Sequence, residues 1–247
     1  MSDSKGVALV LAAGDGIGAA IVERFAIGGY HTVIVRRDPE RSHPQMDELE
    51  AQGCTLSALT ADVRDEESMA NLFAKVESEI GPIEVCIYNG GANTQAPLED
   101  TTGKLFSKVW ELCCFGGFLA VREAAKVMKP RQRGTIIFSG ATSGIRGKEG
   151  MTAFSSGKFG LRSIAQCAAK ELAPDKIHVA HIMINGGIFS DDIARLFRER
   201  SDVDINDLDR DRFIDEKGLA EAYWYVSQQT PTCWTHELDI RTYQERW

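Results

Sequence analysis

The stretch VALVLAAGDGIGAAIVERFAIGG, residues 7–29, joins an apolar run to a glycine-rich turn and an amphipathic segment. The run VALVL is apolar throughout, as expected of a strand that is buried on both faces of a sheet. The turn AAGDGIG follows it directly, and the segment after the turn carries apolar residues at helical spacing. A strand, a glycine turn and a helix in this order predict the first unit of a parallel α/β sheet.

Short β-branched runs alternate with longer helical patterns along the rest of the chain. This alternation predicts right-handed βαβ units and a parallel sheet that is covered on both faces. The fold class that we expect is α/β: one doubly wound, Rossmann-type domain over residues 1–247, with about seven strands. The later predicted strands are HTVIV, TLSALTAD, IEVCIYN, GTIIFSG, KIHVAHIMI and a last one near WTHELDI. The later predicted helices are EESMANLFAKVESEI, residues 103–129, residues 151–172 and GLAEAYWYVSQQ, with an irregular polar stretch over residues 190–217.

The composition argues against several classes of function. The net charge is -8, from 28 basic and 36 acidic residues, and binding to nucleic acid needs a basic face. The first apolar run is far shorter than the ~20 residues of a membrane span, and no signal-peptide layout follows it. The six cysteines form no C-x-x-C pair, which favours buried free thiols over disulfides or metal ligands. We therefore expect a cytoplasmic protein that binds no nucleic acid, membrane or metal.

The glycine turn and the end of the second predicted strand suggest a dinucleotide site. Gly14, Gly16 and Gly18 permit a tight turn, and the helix N-terminus that follows offers N–H groups to a diphosphate. Asp15 places a carboxylate beside that turn, where it would repel a phosphate. A glycine-rich connection that only packs closely is the alternative.

Two arginines end the second predicted strand, at Arg36 and Arg37. An acidic residue there would accept hydrogen bonds from a ribose 2′-hydroxyl, whereas arginine suits a 2′-phosphate. This pair favours NADP(H) as the cofactor, with NAD(H) as the second possibility. A solvated strand end is the alternative interpretation of the same two residues.

Five motifs, in order along nearly the whole chain, resemble those of the short-chain dehydrogenase/reductase family. AAGDGIG resembles T-G-x-x-x-G-x-G, with Ala12 in place of the first glycine. ADV resembles Asp-Val, and YNGG resembles N-N-A-G. FSSGK resembles Y-x-x-x-K, and NGGIFS resembles P-G-x-x-x-T. The resemblance implies the same fold and a nicotinamide cofactor. The cofactor contacts that it implies are Gly14, Asp15, Gly16, Ile17, Gly18, Asp62, Val63, Asn89, Gly90, Lys158, Gly186, Ile188 and Ser190.

The resemblance also places the family's catalytic Asn, Ser, Tyr and Lys on this chain. They fall on Cys113, Ala141, Phe154 and Lys158, so that only the lysine is retained. In the family the tyrosine donates a proton to the alkoxide that forms when hydride reaches a carbonyl carbon. Acid–base help of this kind is typically worth ~10²–10⁴-fold. Hydride transfer to a ketone should therefore be slow, while cofactor binding need not suffer.

Other groups near the expected site offer a hydroxyl or a thiol. Thr142 and Ser143 follow the fifth predicted strand, at the edge where ligands bind. A one-residue shift of the alignment could put Thr142 or Ser139 nearer the site. The apolar neighbours of Cys113 should raise its pKa. The candidate catalytic positions are therefore Lys158, Phe154, Ala141, Thr142 and Cys113.

Three hypotheses follow from this reduced catalytic set. The substrate could be a conjugated C=C bond or an imine; Lys158 or a water could donate the proton; or the protein could bind NADP(H) and catalyse nothing. We predict an NADP(H)-dependent oxidoreductase that transfers hydride to or from a small, apolar substrate. The alternative is a catalytically silent nucleotide-binding protein with a regulatory or scaffolding role.

Two regions outside these motifs complete the expectations. Residues 190–217 stand where the resembled family has its substrate lid, and DVDINDLD within them lacks the glycine and glutamate of a calcium loop. His178 and His181 lie three apart on a predicted strand and so point to opposite faces. In the resembled family the helix AFSSGKFGLRSIAQCAAKEL packs against its copy in a partner subunit. Its small residues allow close approach, so we expect a homodimer or homotetramer.

Overall fold

Seven parallel strands form the central sheet in the computed structural model, which describes residues 5–189 and 209–245. The described residues contain two further strands besides these seven. In chain order the strands are β1 (Val7–Leu11), β2 (His31–Arg36), β3 (Leu56–Thr60), β4 (Ile83–Tyr88), β5 (Gly134–Ser139), β6 (Ile177–Ile184), β7 (Gly187–Ile188), β8 (Phe213–Ile214) and β9 (Glu237–Ile240). The order in the sheet is β3-β2-β1-β4-β5-β6-β9, while β7 and β8 pair separately. The predicted doubly wound fold is confirmed. The order reverses between β1 and β4, which opens a crevice at their carboxyl ends.

Helices cover both faces of this sheet. They are α1 (Ile17–Ile27), α2 (His43–Glu50), α3 (Glu66–Lys75), α4 (Gly103–Trp110), α5 (Gly116–Met128), α6 (Thr152–Leu172) and α7 (Glu216–Ser227). Alternate residues of β1 enter two different cores: Leu9 and Leu11 pack with α3, α5 and α6, whereas Ala8 and Val10 pack with α1 and α7. This period of two is the reason why the strand is apolar throughout.

The long helix predicted over residues 103–129 is present, with a π-helical turn, Glu111–Phe115, between α4 and α5. A π turn displaces the hydrogen-bond ladder and leaves a carbonyl group in need of a donor. The hydroxyl group of Tyr88 donates to the carbonyl oxygen of Leu112. A Cβ atom on Gly116 would lie 2.9 Å from the carbonyl oxygen of Val63, so glycine lets this helix approach the sheet.

The structure differs from the sequence-based expectation in three places. Helix α2 and the short pair β7–β8 were not predicted, because each is too short for a periodic signal. The irregular stretch expected as far as Lys217 is wrong at its end, since α7 begins at Glu216. Asp215 caps that helix by accepting a hydrogen bond of 2.5 Å from the backbone N–H of Gly218,. Residues 190–208 of the expected lid lie outside the described residues.

Two observations concern the expectation of buried free thiols and no metal site. Cys86, Cys113 and Cys114 are buried, whereas Cys167 and Cys233 are exposed, so the expectation of buried thiols is wrong for these last two. Over residues 5–189 and 209–245, no three or more His, Cys, Asp or Glu side chains are grouped as metal ligands would be. Within the same residues, no helix has the length and hydropathy of a membrane span.

Candidate active site

A cavity of about 280 Å³ opens at the carboxyl ends of β1, β2 and β4. This volume is close to the lower limit for ligand pockets and suits one half of a dinucleotide. Six of the predicted cofactor residues line it: Gly14, Arg36, Arg37, Asp62, Val63 and Asn89. The other lining residues are Ala12, Ala13, Asp38, Arg41, Ala61, Arg64, Gly91 and Leu112. The strand-end residues that are far apart in sequence thus share one cleft.

The remaining residues of the glycine turn shape the cleft without lining it. A Cβ atom on Gly18 would lie 2.8 Å from the Cα atom of Ala13, so the glycine lets α1 start directly beneath β1. A Cβ atom on Gly16 would lie 2.7 Å from Oε1 of Glu216, the first residue of α7. Ile17, the first residue of α1, is partly buried against the core on that face of the sheet. The N-cap residue of α1 is Gly16, which provides no side-chain cap hydrogen bond, and the backbone N–H of Ala19 donates to the carbonyl oxygen of Gly14 at 3.0 Å.

Ala12 occupies the position at which the resembled motif has its first glycine. Its φ angle is 54°, in the left-handed region. A side chain with a Cβ atom is strained there, by roughly 1 kcal/mol relative to glycine. The turn therefore keeps the backbone path that glycine normally provides, although the residue is alanine.

A cluster of charges lies at the outer end of the cleft. Arg36 donates from Nη2 to Oδ1 of Asp15 at 2.6 Å, and Arg41 donates to the other carboxylate oxygen of Asp15. Arg36 also donates to the hydroxyl oxygen of Ser42 at 3.3 Å. Sequence reasoning missed Arg41, which lies in the short 3₁₀ helix Pro39–Ser42 after β2. The basic run RRDPER was the signal that could have identified it.

Asp62 and Val63 follow β3 on the adjacent side of the cleft. Arg64 donates from Nε and Nη2 to the two carboxylate oxygens of Asp62, at 2.9 and 2.6 Å. These hydrogen bonds lower the pKa of Asp62 to about 2. Oδ1 also accepts from the backbone N–H of Arg64 at 3.0 Å, so the carboxylate oxygen that can still accept a hydrogen bond from a ligand is Oδ2.

Lys158 is a buried cation in the floor of the site. Its Nζ atom donates to the carbonyl oxygen of Ser139 at 2.7 Å and to that of Gly90 at 3.1 Å. Burial lowers its pKa. A Cβ atom on Gly91 would lie 3.3 Å from Nζ, so this glycine keeps the approach to the ammonium group open. The structure thus brings Gly90 and Lys158 together through the backbone.

The three positions that depart from the resembled catalytic set meet in one apolar cluster. Cys113 and Phe154 belong to its buried part and Ala141 packs against it. The other members are Ala92, Leu105, Val109, Met151 and Ala153. Burial raises the pKa of the Cys113 thiol, so the thiol stays protonated near neutral pH. Beside Lys158, the site is therefore lined by apolar groups and one neutral thiol.

Two of the hydroxyl groups considered as replacements, those of Thr142 and Ser139, already have acceptors within the protein. Thr142 donates to Oδ1 of Asn185 at 2.8 Å. Ser139 donates to Oδ1 of Asn89 at 2.8 Å, and the Ser139 hydroxyl lies 2.7 Å from that of Tyr223. Since the Ser139 proton goes to Asn89, the Tyr223 hydroxyl is the donor in the second bond. Sequence reasoning missed Tyr223, because nothing in the local pattern of α7 indicates which strand end it will contact.

The remaining predicted cofactor residues lie beyond the cavity. Gly186 follows β6, and a Cβ atom on it would lie 3.2 Å from Cδ1 of Ile214. Ile188 pairs with Ile214 in the two-stranded sheet. Neither residue lines the cavity. Ser190 lies outside the described residues. The roles assigned to these three residues stay predictions.

Comparisons with known proteins agree with the fold. The profile of the family described as short chain dehydrogenase matches residues 6–201. A short-chain dehydrogenase/reductase of Armillaria gallica is 33% identical over 178 residues, which are 70% of this chain and 67% of that protein. A short-chain dehydrogenase from Rhodopseudomonas palustris is 37% identical, with a TM-score of 0.81 over 96% of this chain and 99% of that chain. A metagenomic short-chain oxidoreductase solved in complex with NADP is 22% identical, with a TM-score of 0.81 over 98% of this chain and 99% of that chain.

Proposed function

Because the chain belongs to the short-chain dehydrogenase/reductase family, a family of oxidoreductases, we propose that it binds NADP(H) in the cleft at the carboxyl ends of β1, β2 and β4. The observation that carries this proposal is the placement of Lys158. Its ammonium group is buried against the carbonyl groups of Ser139 and Gly90, and Gly91, which lies next to that ammonium group, lines the cavity. Two of its three N–H donors are used there, and the third would hold the ribose next to the nicotinamide.

The preference for NADP(H) over NAD(H) rests on charge at the outer end of the cleft. Arg36, Arg37 and Arg41 line the cavity there, and a guanidinium group binds a phosphate through two parallel hydrogen bonds. Asp15 and Asp38 lie among them and keep NAD(H) as the second possibility. The metagenomic oxidoreductase that holds NADP shares only the fold at its level of identity, so the preference is argued from these side chains.

The apolar cluster around Phe154 sets the class of substrate. When bound, a reduced nicotinamide supplies a hydride. Phe154, Ala141 and Cys113 would exclude water and pack against an apolar substrate, but none of them replaces the tyrosine acid. An iminium carries its proton before the hydride arrives, and a conjugated C=C bond gives an enolate that bulk water can protonate once it leaves the apolar cluster. We therefore propose reduction of a small apolar imine or enone rather than of a simple ketone.

A second function fits the same observations: nucleotide binding without catalysis. The hydroxyl protons of Ser139 and Thr142 are donated to Asn89 and Asn185, and three of the four family positions are apolar or neutral. A regulatory or scaffolding protein would need only the cleft and Lys158. The presence or absence of turnover with enones and imines separates the two functions.

The proposed oligomer uses the face formed by α4, α5 and α6. Four large aromatic residues are exposed there, each between 36% and 44%: Phe106, Trp110, Phe118 and Phe159. A contiguous aromatic patch of this kind is typical of an interface. We propose a cytoplasmic homodimer or homotetramer that is joined through this face.

The test begins with binding and then turns to catalysis. NADPH and NADH are titrated against the protein, with the nucleotide fluorescence as readout and Lys158→Met as the control variant. Micromolar binding that weakens at least tenfold in K158M supports the proposal. NADPH oxidation is then followed with a panel of cyclic enones, imines and ketones. If neither nucleotide binds, the proposed function is wrong. If NADPH binds but is not oxidised with any compound of the panel, the catalytically silent function is favoured.

A further inference from the structure

The outer end of the cleft contains a carboxylate that holds two of the arginines. We infer that Asp15 is a selectivity-determining residue: its carboxylate occupies the positions on Arg36 and Arg41 that a ribose 2′-phosphate would take. This inference rests on the proposed function. It concerns how strongly the protein distinguishes NADP(H) from NAD(H), which is separate from whether it binds a nicotinamide nucleotide.

The geometry brings together three segments of the chain. Asp15 lies in the glycine turn before α1, Arg36 is the last residue of β2, and Arg41 lies in the 3₁₀ helix Pro39–Ser42. Each oxygen of the Asp15 carboxylate accepts from a different guanidinium group, Oδ1 from Arg36 at 2.6 Å and Oδ2 from Arg41. The carboxylate therefore bridges two arginines that both line the cavity, although Asp15 itself is not a lining residue.

The solvent exposure of the three side chains shows that this bridge can open. The side chain of Arg36 is 14% exposed, whereas those of Asp15 and Arg41 are 55% and 61% exposed. Exposed ion pairs of this kind contribute little to stability, because water and salt screen them. An incoming anion with more charge can displace the carboxylate without unfolding the turn.

A phosphate monoester is such an anion. It carries a charge of about −1.5 to −2 at neutral pH and three acceptor oxygens, against one charge and two oxygens for Asp15. Displacement leaves Asp15 near the phosphate, where the two negative groups repel each other. Binding of NADP(H) therefore requires displacement of the Asp15 carboxylate and is opposed by its repulsion from the phosphate, whereas binding of NAD(H) leaves the bridge in place. Asp15 therefore reduces the preference for NADP(H) that three arginines would otherwise produce.

Nucleotide fragments isolate the effect of the 2′-phosphate. The dissociation constants of 2′,5′-ADP and 5′-AMP are measured by calorimetry for the wild-type protein and for Asp15→Asn, which keeps the shape and removes the charge. We expect 2′,5′-ADP to bind about tenfold more tightly to D15N, which corresponds to roughly 1.4 kcal/mol. The affinity for 5′-AMP should change by less than about threefold.

Two further variants make the result decisive. Asp47→Asn removes an exposed carboxylate from α2 and should leave the ratio of the two affinities unchanged. Arg41→Gln removes one arm of the bridge and should weaken 2′,5′-ADP alone. A ratio in D15N that is unchanged, or that falls because the arginines have lost their alignment, would overturn the inference while leaving the proposed function intact. If the wild-type protein binds neither fragment nor NADPH, the proposed function fails and the inference fails with it.

Discussion

The ammonium nitrogen of Lys158 lies 5.8 Å from the centroid of the Phe154 ring, one turn away along the same face of α6. In the proposed function this ammonium group holds a ribose, and Phe154 stands at the position where the resembled family has its tyrosine. The cluster around Phe154 also contains Ala141 and Cys113. Because the site has the lysine but no tyrosine acid, cofactor binding and proton donation can be tested independently.

Restoring the hydroxyl group tests whether the acid alone is missing. In Phe154→Tyr the new hydroxyl lies beside Lys158, and we expect reduction of simple ketones to increase by ~10²-fold or more. The measurement is NADPH oxidation with cyclohexanone and acetophenone. Phe159→Tyr, on the same helix but 44% exposed, is the matched control and should change nothing. If F154Y binds NADPH like the wild type and reduces no ketone, the geometry at this position is not that of the family.

Replacing Ala12 tests the strain in the turn between β1 and α1. Ala12→Gly removes the Cβ atom from a residue with a φ angle of 54°. We expect the free energy of unfolding to rise by about 1 kcal/mol and the melting temperature by about 2–4 °C. Thermal unfolding followed by circular dichroism measures both. Ala20→Gly, in the first turns of α1, should instead destabilise the protein, because glycine weakens a helix. A lower melting temperature for A12G than for the wild type would contradict the prediction.

Acid should destabilise the protein through His181. Burial lowers the pKa of His181 to about 4, although Glu237 lies 3.3 Å from its Nδ1 atom and favours protonation; Lys158 and Arg162 disfavour it. The unfolded chain, with an ordinary histidine pKa, therefore binds more protons between pH 6.5 and 4, so stability falls as the pH falls through that range. We expect a loss of about 2 kcal/mol between pH 7 and pH 5 from this one group.

Urea unfolding at several pH values measures this loss. His181→Asn should flatten the dependence between pH 7 and pH 5, even if the variant is less stable at every pH. His43→Asn, at an exposed position at the start of α2, should keep the wild-type slope. Equal slopes for the wild type and H181N would show that His181 titrates normally.

A charge on the aromatic face should dissociate the proposed oligomer. Phe159 is 44% exposed on α6, and its neighbour Gly160 lies close to Trp110 of α4. In Phe159→Glu, association would desolvate an unpaired carboxylate, and we expect sedimentation to give the monomer mass. Ile27→Glu places the same charge on α1, where Ile27 is 55% exposed, and should leave the assembly unchanged. A wild-type protein that sediments as a 27.2 kDa monomer would refute the proposed interface.

The sequence by itself determined the long strands and helices, and the family resemblance predicted the reduced catalytic set. The run of β1, the glycine turn and α1 follow from local periodicity, because strand and helix repeats show directly which residues are buried. The spacing of four between Phe154 and Lys158 was enough to place both on one face of α6. The absence of the tyrosine hydroxyl needed no structure.

Only the tertiary structure decided which side chains meet at the carboxyl edge of the sheet. Asp15 bridges Arg36 and Arg41 across separations of 21 and 26 residues, and Tyr223 donates to Ser139 across 84. Local periodicity says which face of an element is buried, but not how two loops or a distant helix lie against a strand end. Those contacts depend on strand order and on the packing of α7 against β5, so the charge balance of the cleft became visible only in the folded protein.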